Sequence, residues 1–352
     1  MSERASPRVT VLMTLYNKGR FVEDAVRSVL ANSFTDLEVL VVDDGSTDEG
    51  PERVRSVRDD RVKLLTTDRN AGRPTAANRG YDAARGEFIA VLDADDLMRP
   101  DRLSKQVAFL DAHPEVGVVG SSLGVFGAQE DLWHWPETDD EARSKILFGD
   151  PVCYGTAMMR RSIVEEHHVR CDEAWLYPGM DYLFLVALSF HARFANIMEP
   201  LTQYRTGAQN MRHGRDPIED RARTYRGLFR MLGIEASEEE LQCQLMLHRM
   251  FRKPPTKAEV RALNDWIAKL ERMNRQRHLF PVQGFEDELH RRWKDLFHPI
   301  ADLSSGAAIA HRSLNGRWTL ADLRYLASAA MVRLRKPRGR HVGTEAPSDV
   351  GP

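Results

Sequence analysis

Cysteine is scarce in this chain of 352 residues: Cys153, Cys171 and Cys243 are the three present, and no two form a Cys-x-x-Cys pair. That excludes a disulfide framework and a cysteine zinc site, and it fits a reducing compartment with inert thiols. An excess of one charge is missing too, since 50 Lys and Arg stand against 52 Asp and Glu. With no overall cationic field, nucleic acid drops out as a partner. No apolar run reaches the roughly 18 residues needed to span a bilayer. The opening MSERASPRVTVLMTLYNKGR is interrupted by Thr10, Thr14 and Tyr16 and has no small-residue cleavage site, so it does not read as a signal peptide. A soluble or peripheral protein is expected. The P-loop pattern G-x-x-x-x-G-K-[ST] is absent as well.

What is present suits a globular protein of two parts. Apolar residues make up 42% and charged residues 29%, and the length predicts one core of roughly 200 residues with a smaller appendage. From Arg8 to about Ser122, short β-branched runs alternate with helical periodicity, the pattern of a mostly parallel sheet covered by helices. Strands are predicted at Val9–Leu15, Leu37–Val42, Val62–Thr66, Phe88–Leu92 and Val116–Ser121. The helix carrying Phe21, Val22, Ala25, Val26, Val29 and Leu30 has Asn17 as its expected cap. Further helices are expected at Pro51–Val57, Thr75–Arg85, Arg102–Ala112, Glu141–Phe148, Arg161–His168 and Asp181–His191, and short strands near Phe194–Met198 and Leu201–Arg205. After Gly214 the strand signal ends, and Arg221–Leu232, Ser237–Phe251, Thr256–Asn274 and Glu286–Phe297 read as amphipathic helices. The expected division is residues 1–214, a helical region over 215–335, and a disordered tail over 336–352.

Three predicted strands end in polar groups. Phe88-Ile-Ala-Val-Leu leads directly into Asp93-Ala-Asp95-Asp96, at the strand end where α/β sheets place their ligands. On extended backbone Asp93 and Asp95 would face one ligand, and their oxygens suit Mg²⁺ or Mn²⁺. Asp43-Asp44-Gly45-Ser46 repeats the arrangement after a second strand, and Thr14-Leu15-Tyr16-Asn17 closes the first. Asp44 can accept a hydrogen bond from a base N–H, and the Tyr16 ring can stack on the base. Asn70-Ala71-Gly72-Arg73 opens a helix rich in small residues. There Gly72 allows close backbone approach, Arg73 supplies a planar cation, and the helix start favours an anion. Each segment alone has a plainer explanation: solvated turn carboxylates, a half-buried strand aromatic, ordinary helix arginines.

In this order the four segments resemble the family 2 glycosyltransferases, over roughly residues 8–210. The resemblance implies a GT-A fold with a C-terminal helical extension, and inversion at the anomeric carbon of a sugar delivered by a nucleotide-sugar, a UDP-sugar by preference. It implies that Thr14, Tyr16, Asn17, Asp43, Asp44, Asn70, Gly72 and Arg73 hold the nucleotide-sugar. Asp93 would lie near the ribose or diphosphate, and Asp95 would be the principal metal ligand beside Asp93. It also implies a glycan or lipid-linked acceptor, cell-surface polysaccharide synthesis, and a cytoplasm-facing location. An inverting displacement needs a base for the acceptor hydroxyl. Pro178-Gly-Met-Asp181-Tyr182 matches the family's Glu-Asp pair, with Met180 in place of Glu and Asp181 as the expected base; Asp172 and Glu173 are alternatives. Tyr204-Arg205-Thr206-Gly207 resembles a Tyr-Arg-x-His segment with Gly207 in place of His, leaving His213 as the substitute metal ligand.

Two departures, Met180 and Gly207, keep a non-catalytic nucleotide-sugar-binding or partner-docking module as the alternative. The hydrolase pattern at Gly120-Ser121-Ser122-Leu123-Gly124 is read as chance, because no helix is predicted to follow it. Within 318–336, Leu323, Leu326, Ala327, Ala330, Met331 and Leu334 form a stripe ending among Arg333, Arg335 and Lys336. Such a helix can dock on the protein, the favoured expectation, or lie peripherally on the inner face of an anionic membrane.

Overall fold

The computed structural model of the chain describes residues 6–176, 178–207, 215–314, 316 and 318–335. They fall into two compact units, one of residues 6–142 with 149–215, the other of 143–148 with 216 onward. His213 and the expected tail over 336–352 lie outside the described residues.

In the first unit β1 (Val9–Leu15), β2 (Leu37–Asp43), β3 (Val62–Thr66) and β4 (Phe88–Val91) are parallel, in the order β3-β2-β1-β4. β1 shows how sequence sets the layers. Val9, Val11, Met13 and Leu15 enter one core with Val22, Val26 and Val29 of α1 (Gly19–Leu30) and Val54 of α2 (Gly50–Ser56). Leu12, on the opposite pleat, joins Ala76, Ala77 and Tyr81 of α3 (Arg73–Ala83). Gly80 lets α3 approach, because a Cβ there would lie 2.2 Å from Leu12 Cδ1. All four strands end on one rim because they run the same way.

Beyond β4 the sheet becomes mixed. It continues through β5 (Leu97–Met98), β6 (Val116–Gly127), β7 (Asp131–Trp133), β8 (Met158–Arg160) and β9 (Arg193–Thr206), in the order β4-β8-β6-β9-β5 with β7 on β6. α4 (Arg102–Ala112), α5 (Asp139–Lys145), α6 (Arg161–Glu166) and α7 (Met180–Ser189) connect these strands. The two short strands expected at 194–205 are one, β9, with a bulge: the register moves from Ser121↔Ile197 to Ser122↔Pro200, leaving Met198 and Glu199 outside it. Pro200 has no N–H to give the ladder there. Ser121 and Ser122 are buried inside β6, so Gly120–Gly124 is strand and not a nucleophile elbow.

The second unit is helical: α8 (Pro217–Leu232), α9 (Glu238–Met246), α10 (Lys257–Arg277), α11 (Val282–Asp295), α12 (Phe297–Leu303), α13 (Ser305–Leu314) and α14 (Leu320–Arg335). Ser237 and Thr256 open α9 and α10 with capping boxes to Glu240 and Glu259. α9 stops at Met246, short of the predicted Phe251, and Arg249 turns the chain at φ 57°. Fully buried Trp266, Leu270 and Phe285 form its core, joined by Phe148 from the 143–148 segment. Among the described residues no helix is long and apolar enough to cross a membrane.

Candidate functional site

The polar strand ends meet on the C-terminal rim of β1, β2 and β4, and hydrogen bonds tie their loops together. Asn17, at φ 51°, accepts from Thr47 N–H at 2.8 Å, and its own N–H donates to Ser46 Oγ. It therefore does not cap α1 as expected; the first helical N–H, that of Gly19, donates to Asp48 Oδ2 at 2.8 Å. Asp43 is buried and accepts from Ser46 N–H, fixing the turn after β2. Asp44 is 3% exposed, and its oxygens accept from the Ala71 and Gly72 N–H groups at 2.9 and 2.8 Å. Its carboxylate thus holds the loop before α3. Asn70 Oδ1 also accepts from Gly72 N–H. Gly45, at φ +70°, fits because a Cβ would stand 2.5 Å from the Arg69 carbonyl carbon. Thr14 is half-buried, while the Tyr16 ring is 44% exposed above the rim.

Across this rim lies the acidic turn. β4 ends at Val91, and Asp96 N–H donates to the Asp93 carbonyl, so Asp93–Asp96 is a turn and not the extended strand the sequence suggests. The two carboxylates face different cations. Asp93 Oδ1 accepts from Arg73 at 2.7 Å, and Asp95 Oδ2 from Lys18 Nζ at 2.7 Å. Asp96 is buried and accepts from the Arg205 N–H, while Arg205 Nε donates to the Asp95 carbonyl. Burial, with the neighbouring Asp95 and Asp181, pushes the Asp93 carboxyl above its usual range despite Arg73. Burial raises Asp96 further, and Asp93 and Asp95 add to the rise.

Asp181 enters the same cleft. It lies in the first turn of α7, where Oδ1 accepts from Tyr182 N–H and Oδ2 stands 3.9 Å from Arg73 Nη1. The Arg73 guanidinium therefore faces Asp93 on one side and Asp181 on the other, over the Tyr154 ring at 5.5 Å. Tyr154 is fixed in turn by a 2.6 Å bond to the Tyr81 hydroxyl. Asp172 and Glu173 are exposed; Glu173 Oε1 accepts from Asn78 Nδ2.

Sequence reasoning missed the role of Lys18, whose only signal is its place one residue past a rim asparagine. It also missed Tyr154 and Arg102. Arg102 is fully buried and donates to the carbonyls of Val91, Gly155 and Ala157 and to Thr202 Oγ1. Burial pulls its pKa down to about 10, so it stays a cation at neutral pH.

Among the described residues no group of three His, Cys, Asp or Glu side chains closes around a metal position. Mg²⁺ and Mn²⁺ are also held by one or two carboxylates completed by diphosphate oxygens and water. Asp93 and Asp95 offer two such carboxylates on one turn, each with a cation, Arg73 or Lys18, already on one of its oxygens. Cys171 and Cys243 are buried, and burial pushes both thiols up to about 12, so the thiols do not compete.

Residues 10–168 match the family model described as Glycosyl transferase family 2. That stretch of the first unit is a glycosyltransferase family 2 match. The succinoglycan biosynthesis protein ExoO of Rhizobium meliloti is 37% identical over 212 residues, covering 56% of this chain and 60% of that protein. The chain spans about three fifths of the length of the curated relatives it matches. The structure of S. aureus TarS 1-349 in complex with UDP-GlcNAc aligns at TM-score 0.56 and 18% identity, covering 94% of this chain and 93% of that one. The mannosyltransferase PcManGT of Pyrobaculum calidifontis, in complex with GDP-Man and Mn2+, aligns at TM-score 0.51 and 20% identity, covering 95% and 82%. Both share the fold, α/β with a GT-A-type sheet. Met180, the departure beside Asp181, is buried in the core around Tyr81 and Phe184, where a carboxylate would need a partner.

Proposed function

We propose that the first unit transfers a sugar, with inversion, from a nucleotide-sugar to a hydroxyl of a glycan or lipid-linked acceptor in cell-surface polysaccharide assembly. The observation that carries this reading is Arg73, 2.7 Å from Asp93 and 3.9 Å from Asp181, which puts the donor-side motif and the candidate base around one cation. Tyr16 takes the base on its exposed face, backed by Thr14. Asn17, Asp43, Asp44, Asn70 and Gly72 fix the two loops that cradle the nucleotide, and Asp44 keeps lone pairs for a base N–H. Arg73 and Lys18 supply positive charge toward the diphosphate. Mg²⁺ or Mn²⁺ held by Asp93 and Asp95 would offset charge on the departing diphosphate. As the acceptor oxygen bonds to the anomeric carbon, its proton passes to Asp181, and the carbon–oxygen bond to the nucleoside diphosphate breaks with its electron pair. A UDP-sugar is the preferred donor, and the succinoglycan relative supports the polysaccharide setting.

A nucleotide-sugar panel, read by thermal shift and by hydrolysis with Mn²⁺, tests the reading. The correct donor at a hundred times its Kd stabilises the domain by ~2.7 kcal/mol. Asp95→Ala abolishes turnover; Asp181→Asn keeps the donor shift and loses transfer. Donor binding and turnover both intact in Asp95→Ala would overturn the metal assignment, and full transfer by Asp181→Asn would overturn the base.

A further inference from the structure

Two helices bring the candidate site its opposed groups: α3 opens with Arg73, and Asp181 lies in the first turn of α7. Farther along, the same helices meet in a cluster of three buried rings. Tyr81 of α3 stacks on Phe184 of α7, with centroids 4.9 Å apart and planes 7° from parallel. Tyr154, from the single 3₁₀ turn Tyr154–Thr156, meets the Phe184 ring edge-on at 6.0 Å and shares its 2.6 Å hydroxyl bond with Tyr81. Its ring also carries the Arg73 guanidinium, 5.5 Å from the centroid.

Packing alone does not require the two hydroxyls. A pair of phenylalanines would fill the same space with no polar atom to satisfy, whereas a hydroxyl taken out of water costs free energy unless it finds a partner. Burial raises both phenols above their usual range, so each keeps its proton at neutral pH and one donates to the other. That bond fixes Tyr154 against α3, and the edge contact fixes it against α7. The backbone adds a constraint of its own. Gly155 gives its carbonyl to Arg102 at 3.0 Å, and a Cβ on it would stand 3.7 Å from Asp93 Oδ2. One short turn therefore borders Asp93 with its backbone and Arg73 with a side chain. A contact through the ring face uses none of the guanidinium's N–H donors, which stay in its plane for Asp93, Asp181 and the diphosphate.

We propose that Tyr154 is a positioning residue for sugar transfer: its ring seats Arg73 between Asp93 and Asp181, and its hydroxyl, tied to Tyr81, sets the spacing of the helices that carry the cation and the base. The role rests on the transfer reading above and adds to it a buried side chain that acts through Arg73. Such a residue contributes little to holding the donor in the ground state. It contributes more to the transition state, where charge on the diphosphate and the proton reaching Asp181 must be met together.

The test uses variants of the full chain, each melted and then assayed for kcat and donor KM with the nucleotide-sugar that gives the largest thermal shift. Tyr154→Leu removes the ring and is expected to lower kcat by about 10²-fold, with donor KM within about threefold of wild type. Tyr154→Phe keeps the ring and is expected to recover about tenfold of that loss. In an Arg73→Ala background Tyr154→Leu should cost no more than about twofold, because two groups acting through one contact are not additive. Combining Tyr81→Phe with Tyr154→Phe reads the hydroxyl tie. Each single change strands one buried hydroxyl and lowers the melting temperature; the pair strands none and returns it to near wild type, while kcat stays about tenfold down. Should Tyr154→Leu fail to fold, the Phe pair decides alone. Wild-type kcat in Tyr154→Leu, a loss confined to KM, the full loss repeated in the Arg73→Ala background, or full kcat in the Phe pair would overturn the positioning role. With an active wild type these results take down this role alone, whereas a wild type that turns over no donor in the panel takes down the transfer reading and this role with it.

Discussion

The two ends of the parallel sheet solve the problem of buried charge in opposite ways. At the N-terminal end, Glu38 on β2 faces its register partner Thr10 on β1, with Lys63 and Arg85 beside it. Its oxygens accept from Thr10 Oγ1, Lys63 Nζ, the Arg85 N–H and the Arg85 guanidinium, all between 2.6 and 3.2 Å. Burial works against the charge, yet these donors overcome it and hold the carboxyl at about 2. At the C-terminal rim, burial and like charge push Asp93 and Asp96 up instead. One cluster is complete without a ligand. The other leaves two carboxyls raised, Asp93 and Asp96, with burial as the main cause.

The contrast can be broken from either end. Asp93→Asn should lower turnover by on the order of 10²–10³-fold while leaving the fold intact, measured as kcat beside a thermal melt. Glu38→Ala should do the reverse, lowering stability by about 3 kcal/mol in urea unfolding with kcat for the remaining folded enzyme little changed. The Glu38 contribution also has a defined pH window. With its pKa depressed from 4.5 to about 2, it is complete above pH 4.5 and lost as pH falls toward 2. The gap in melting temperature between wild type and Glu38→Gln should therefore close on acidification through that range. Gly45→Ala, forced toward the Arg69 backbone at positive φ, should cost about 1–3 kcal/mol and weaken donor binding through both loops. The smallest effect has the opposite sign: Asp96→Asn, melted in EDTA at neutral pH, should gain about 1 kcal/mol. A raised carboxyl destabilises above its folded pKa, so that gain should shrink as pH falls.

Local pattern revealed the rim and little of what supports it. The strands of the parallel half, the loops after β1, β2 and β3, and the four acidic or polar segments were legible because each combines a short β-branched run with turn residues in consecutive positions. Residue partnerships at long range were not. Arg102 reads as an ordinary first residue of a helix, but its acceptors lie at Val91, Gly155, Ala157 and Thr202. Periodicity three or four residues apart carries no information about such partners. The separate targets of Asp93 and Asp95 were hidden for a related reason, since the strand stops at Val91 and the turn sends the side chains to cations from two other loops. On α14 the periodicity was read correctly as a stripe, but the expected docking through it is corrected: Leu323, Met331 and Leu334 are exposed, and Asp322 and Tyr325 bond to Arg312 and Asp302 instead. No sequence rule states which face of an amphipathic helix a small protein unit will grip.

Arg102 also gives the rim a property its visible partners lack. Lys18 and Arg73 are partly open to solvent, and ions in solution weaken pairs of that kind. Arg102 interacts with Asp96 from a position solvent does not reach. Part of the positive potential under the acidic turn is therefore insensitive to ionic strength, and the turn keeps a fixed background field when mobile ions and flexible side chains rearrange around it.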